Sequence, residues 1–240
     1  MANNIDNSLN WSQANTLSKT ARFMSKVYGW MMLGIAMSGI VAYAVFQNTT
    51  LATTLMQSRS AIWGIFIVQM ALVMGLSAVI NRISSTVAGF LYFLYAAITG
   101  VTLSFIFLVY AQDSIFSMFF LTAFAFGGLS ATGYLTKKDL GPIGSFCMMG
   151  LFGMIGFSIL AFFFPSFGGG QASLIFSAVG VLVFSGLTAY DTQKIKALYE
   201  RGSASEEAAR KLAIFGALTL YLDFINLFLS LLRIFGGRRR

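Results

Sequence analysis

Histidine is absent from this 240-residue chain, cysteine occurs once and proline twice. Without histidine there is no Ser-His-Asp or Cys-His catalytic arrangement. Zinc or haem held by the usual ligands is not expected either. The lone Cys147 excludes a disulfide within the chain. No nucleophile–base pair or metal cluster is visible, so the residues suggest neither an enzyme nor a bound cofactor. Charge is also scarce: 10% of residues are charged, eight of them acidic. The balance of +8 does not point to nucleic acid, because the cations lie in loops and tails, where membrane topology explains them.

What is present is apolar. Hydrophobic residues make up 57% of the chain and the mean hydropathy is +0.77, more than a soluble domain can hide. Apolar runs of ~20 residues, the span of a bilayer core, recur along the sequence. They are continuous rather than alternating, which selects helices over a barrel. The expected fold is an all-α polytopic membrane protein with seven helices, at 27–47, 61–80, 87–110, 115–135, 142–164, 173–193 and 212–235. A polar cytoplasmic tail, 1–26, precedes this 27–235 membrane domain, and a basic tail, 236–240, follows it.

The basic residues orient the chain. With the N-terminus cytoplasmic, eleven of them fall inside, from Lys19, Arg22 and Lys26 to Arg210 and Lys211, and only Arg59 lies in an outside loop. The seventh segment conflicts with this pattern, because a full span puts Arg238–Arg240 outside. Residues 217–235 contain no Gly or Pro to break the helix for re-entry, so a full span is expected.

Residues at i, i+3, i+4 and i+7 share a helix face. Thr219, Asp223, Asn226 and Ser230 form such a stripe on the seventh helix, expected to face the interior. Tyr92, Tyr95, Thr99 and Thr102 form another on the third, Thr188 lies beside Asp191 on the sixth, and Gln69 and Ser77 lie on the second. Hydroxyl stripes read most simply as interhelical hydrogen-bond contacts. Gly29, Gly34, Gly39, Gly150, Gly153 and Gly156 are expected to permit close helix approach.

Six acidic residues fall in tails or connections: Asp6, Asp113, Asp139, Glu200, Glu206 and Glu207. Asp191 and Asp223 do not. A carboxylate in hydrocarbon costs roughly 2.5–3.5 kcal/mol even on lenient scales. Asn could fill a structural role at lower cost, so these two acids are candidates for a proton or cation path. Asp191 sits three residues before Lys194, near the inner surface. Asp223 lies twelve residues after Lys211, ~18 Å along a helix. The two meet only if the seventh helix starts late or the cytoplasmic end is wet.

At these residues, FSGLTAYDTQKIK (184–196) and GALTLYLDFINLFLSLLRIFG (216–236), the chain resembles the Bax inhibitor family, in its bacterial inner-membrane branch. YGWMMLGIAMSGIVAY and ITGVTLS are weaker matches. The resemblance implies seven helices with the last one central and surrounded by the other six. It also implies a pH-sensitive calcium leak with Asp191 and Asp223 as the proton-sensing pair and Arg82 as their basic partner.

Two carboxylates at hydrogen-bond distance cannot both ionise cheaply, so the pair holds a proton. Protonated, it latches the sixth helix to the seventh. Deprotonated, it repels itself or attracts Ca²⁺ or Arg82. Asp191, Asp223, Asn226 and backbone carbonyls fall short of the six to eight oxygens Ca²⁺ prefers, so any Ca²⁺ is weak and transient. A pH-gated cation leak is therefore expected. The alternatives are a non-transporting regulator of a membrane protease or stress complex, with a membrane-protein partner, and a proton-coupled small-solute carrier.

Overall fold

The computed structural model describes residues 2–48, 50, 53–54, 57–80, 82–164, 170–202 and 205–239, with side chains from Leu17 onward except that of Arg59. Among these residues seven helices are long and apolar enough to cross a membrane. They are α1 (Ala2–Gln47), α2 (Arg59–Val79), α3 (Ser85–Leu103), α4 (Gln112–Leu135), α5 (Gly141–Phe163), α6 (Gln171–Glu200) and α7 (Glu206–Phe235). The side chains of Asp6 and Arg59, and Arg240 as a whole, fall outside the described residues.

Local chemistry sets several helix starts. The hydroxyls of Ser58, Ser84 and Ser205 accept from the backbone N–H three residues on and cap α2, α3 and α7. Pro142 sits in the first turn of α5, where its missing N–H costs nothing. Gly202, at φ +114°, takes the backbone out of α6 through a conformation that favours glycine.

Four boundaries differ from the sequence expectation by more than three residues, one of them the start of α7, at Glu206 rather than 212. The backbone of α1 is helical from Ala2, because a stable apolar helix propagates into a polar segment more readily than a new one nucleates. The third helix breaks at Ser104, whose hydroxyl bonds back to Val101 O at 2.7 Å. A single turn, Ile106–Val109, follows. The sixth helix does not stop at 193. Lys196 donates to Tyr134 O at 3.0 Å and lies over the Tyr134 ring, so a cation that reads as a loop marker is held on a helix.

The seventh helix is central. Of the 18-residue apolar core of each span, 67% is buried in α7, against 6% in α2 and 11% in α5. It packs chiefly against α6, α1, α4 and α3, while α2 leans on α3 and α5 on α6. The side chains facing away from the bundle are large and apolar, such as Phe124 at 85% exposure and Leu182 at 74%. That is the surface a bilayer requires.

Close approach falls at two of the six glycines expected and at others besides. Gly29, Gly39, Gly153 and Gly156 have open space where a Cβ would sit, whereas Gly34 lies against Tyr92 and Gly150 against Val183. Tight crossings also fall at Gly133 on the Ala189 carbonyl, Gly144 on the Tyr190 ring and Gly186 on the Cys147 thiol. Which glycine meets a partner depends on interhelical register, and that is a non-local property.

The C-terminal tail folds against the opposite end of the bundle from the α6–α7 connection. Ala111 N donates to Gly237 O at 3.0 Å and Arg239 N to Val109 O at 2.9 Å. The Arg239 guanidinium stands over Phe46, at the end of α1. At the other end of α7, Glu207 bonds Ser85 at the start of α3. The seventh helix therefore traverses the bundle fully, without re-entry.

Two outcomes follow. Gly133→Ala should cost about 1–3 kcal/mol, because backbone cannot move aside for the new methyl group. Gly153→Ala should cost nothing, and thermal or detergent unfolding of the two variants reads the contrast. With the N-terminus cytoplasmic, a cysteine appended after Arg240 in a Cys147→Ser background should react with an impermeant thiol reagent on intact cells. Labelling only after the inner membrane is opened would overturn this topology.

Candidate functional site

The α6–α7 register decides whether the two aspartates meet. A methyl group at Gly216 would fall 2.9 Å from Ile195 Cγ2, and one at Gly180 would fall 2.6 Å from Ser230 Oγ. Counted from either contact, residue 191 lies opposite residues 219–220, about one turn from 223. The long α6 settles the depth question: Asp191 lies nine residues, ~13.5 Å, before Glu200, not at the helix end. The two side chains come within hydrogen-bonding and electrostatic range of each other.

Both carboxyls are buried, Asp191 at 9% exposure and Asp223 at 4%. Asp223 Oδ2 has no hydrogen-bond partner. The cation acting most on Asp191 is Lys194, an exposed side chain about one turn further on. Among the described residues neither aspartate forms an ion pair, while Glu207 pairs with Arg210 at 3.6 Å. Two charges at such a site would each bear desolvation and mutual repulsion. One proton between them replaces repulsion with a hydrogen bond, and the arrangement can therefore store and release a proton.

The other sequence candidates are placed unevenly. Thr188 is buried on the Asp191 face and donates to Phe184 O at 2.7 Å. Ser230 is buried against Gly180 and bonds Asn226 O. Thr219 and Asn226 lie half-exposed and bond back to Phe215 O and Leu222 O of their own helix. The expected interior stripe on α7 is thus split: Asp223 and Ser230 lie on its buried edge, Thr219 and Asn226 on its partly exposed one. Arg82 is exposed in the α2–α3 turn. The structure brings it to neither aspartate.

Sequence reasoning missed two groups beside the pair. The first is a directed hydroxyl chain. Thr192 donates to Thr188 O at 2.7 Å, so its oxygen accepts from Ser130 at 2.9 Å, and Ser130 in turn accepts from Tyr28 at 2.6 Å. This chain ties α1, α4 and α6 together next to Asp191. The second is the buried Cys147 thiol of α5, which sits against Gly186 within electrostatic range of Asp223. The i+4 spacing of Thr188 and Thr192 was a readable signal for the first. Nothing in the sequence marked the second.

The α3 stripe does meet α7. Tyr92 and Tyr95 both stand edge-on to Tyr221, each with ring centroids 6.0 Å from it. Gln69 of α2 bonds Thr99 at 3.3 Å, while Thr102 and Ser77 are exposed and bond within their own helices. Ser38 has one proton and lies 2.7 Å from Ala96 O, so Tyr221 must donate across the 2.6 Å contact to Ser38 Oγ.

That direction predicts an asymmetry. Tyr221→Phe leaves Ser38 donating to a carbonyl and should cost about 1 kcal/mol. Ser38→Ala strands a buried phenol donor and should cost more, about 1–3 kcal/mol. Equal losses on unfolding of the two variants would contradict the assigned direction.

With this geometry in place, comparison with known proteins is informative. A family model described as "Inhibitor of apoptosis-promoting Bax1" matches residues 20–240. The inner membrane protein YbhL of Escherichia coli strain K12 is 45% identical over 220 residues, covering 90% of this chain and 92% of that protein. A protein of Borreliella burgdorferi is 42% identical over 218 residues, covering 91% and 93%. One of Deinococcus radiodurans is 40% identical over 227 residues, covering 95% of each.

Proposed function

We propose that this chain, which belongs to the Bax inhibitor family, is a pH-sensitive cation leak, chiefly for Ca²⁺, in the inner membrane. The observation that carries the reading is the buried Asp191–Asp223 pair, which has no ion-paired cation among the described residues. Sharing one proton, the pair bridges α6 to the central α7 and holds the bundle closed. Losing that proton places two negative charges at the α6–α7 interface, and the helices separate or a cation enters.

Ca²⁺ is cargo here, not a resident ion. Two carboxylates supply too few oxygens for tight binding, and weak binding suits passage. Ordinary intramembrane hydrogen bonds of the Thr and Ser kind contribute only ~0.6 kcal/mol each. They leave α6 free to respond to a change of charge at the pair. Arg82, exposed in the α2–α3 turn, is proposed as the cation that engages the deprotonated pair and restrains the leak near neutral pH.

The test is Ca²⁺ flux in proteoliposomes across pH. Asp191→Asn and Asp223→Asn should each flatten the pH dependence, and the double variant should add little to either, because the two residues share one proton. Strictly additive effects would argue against sharing. Arg82→Ala should raise basal leak near neutral pH, and an unchanged pH profile would remove Arg82 from the mechanism. Absence of flux from the unaltered protein would favour a non-transporting regulator.

A further inference from the structure

A cleft of 480 Å³ opens at the inner end of the bundle between α1, α6 and α7. Lys19, Arg22 and Lys26 of α1 and Arg210 of α7 line it, together with Glu200 and Glu206. The three α1 cations follow i, i+3, i+7 spacing and form one stripe. At the same spacing that stripe continues through Trp30, Leu33 and Ile40, and the last two are 57% and 68% exposed. The apolar run of α1 begins at Val27, so the cations occupy the turns just before it, at headgroup depth. Trp30 follows where aromatic side chains favour the membrane interface. The track runs from charged to aromatic to aliphatic, which is the order of groups in a phospholipid.

The cleft also contains an unsatisfied polar atom. Thr20 lines it, is 1% exposed, and its Oγ1 has no hydrogen-bond partner among the described residues. Buried hydroxyls rarely go unpaired without a reason. Phe23 stacks on Tyr199 at 4.1 Å and 6°, and both rings line the cleft where α1 meets α6. Arg210 is ion-paired with Glu207, and the remaining three cations still outnumber the two carboxylates of the lining, so the cleft favours an anion. The carboxylates also disfavour a multiply charged one, and they offer acceptors to headgroup hydroxyls. A singly charged phosphodiester with a polyol headgroup fits both requirements.

We propose that this cleft holds the phosphate headgroup of an anionic inner-leaflet phospholipid, with its acyl chains along the Trp30–Leu33–Ile40 face of α1. The lipid would join α1 to the α6–α7 hairpin at a point where the described protein contacts include the Phe23–Tyr199 stack. Basic pockets between membrane helices on the cytoplasmic side commonly take such headgroups. This inference is independent of ion conduction, and it stands or falls whether or not the protein transports Ca²⁺.

The test uses the full chain with Trp11→Phe and Trp63→Phe, leaving Trp30 as the only tryptophan, in vesicles containing phosphatidylglycerol or phosphatidylcholine brominated in the acyl chains. Brominated phosphatidylglycerol should quench Trp30 at a lower mole fraction than brominated phosphatidylcholine. Arg22→Gln with Lys26→Gln should reduce that preference by about tenfold or more, at roughly 1 kcal/mol per cation near the surface. The charge-matched pair Lys137→Gln with Lys138→Gln, on exposed inner-end positions away from the cleft, should leave it unchanged. Equal quenching by the two lipids in the unsubstituted cleft overturns the proposal, and this measurement needs no cleft variant to fold. An equal loss in the Lys137/Lys138 variant reduces the effect to general surface charge and also overturns it. Excess inorganic phosphate should not alter the preference. If it abolishes the preference, the site takes a soluble phosphate and the lipid assignment fails.

Discussion

The antiparallel packing of α6 on α7 is the interaction on which the rest depends. It buries two carboxylic acids among apolar side chains, and burial of this kind is tolerable in a bilayer only if the protein supplies what water would have supplied. Each acid is acceptable because the other is present. Small residues make the approach possible: Gly216 meets Ile195 and Gly180 meets Ser230. The remaining helices add to this hairpin, with α1, α3 and α4 covering α7 and α5 covering α6.

Polar groups elsewhere follow the same constraint with less at stake. Hydroxyls on α1, α3, α4, α6 and α7 bond to carbonyls one turn back or to hydroxyls on a neighbouring helix. Such contacts orient helices without trapping charge. The aspartates differ in kind, since a change of one proton alters the net charge at the main interface of the bundle. A structure stabilised by packing and weak hydrogen bonds has little to oppose that charge, and the proposed switching rests on this. At the ends of α7 the polar contacts are exposed and of another type: Glu207 engages the start of α3, and the C-terminal tail pairs with the segment after it.

Much of this was legible in the sequence. Asp191 and Asp223 were conspicuous because a membrane-length apolar run gives a carboxylate no local partner, so composition alone exposed them. The full traverse of α7 could be read from the lack of Gly or Pro within 217–235. The uneven reading of its polar stripe has an equally simple cause. Helical periodicity shows which residues share a face, but not where the buried edge of that face falls, so Thr219 and Asn226 were grouped with Asp223 although they are only partly buried. Lys194 and Lys196 suggested a helix end because charge usually marks water. Lys196 instead found a carbonyl and an aromatic ring on α4.

The sequence by itself determined the class, the number of spans and the two anomalous acids. Each follows from the cost of placing backbone or charge in hydrocarbon, a cost that depends on local composition. Tertiary structure alone decided that Asp191 meets Asp223, which glycines lie at crossings, that Cys147 sits near the pair, and that four cations and Thr20 surround one cleft. These depend on the register between helices, and register is set by contacts between residues as far apart as Ser38 and Tyr221. No periodicity within a single helix encodes that distance.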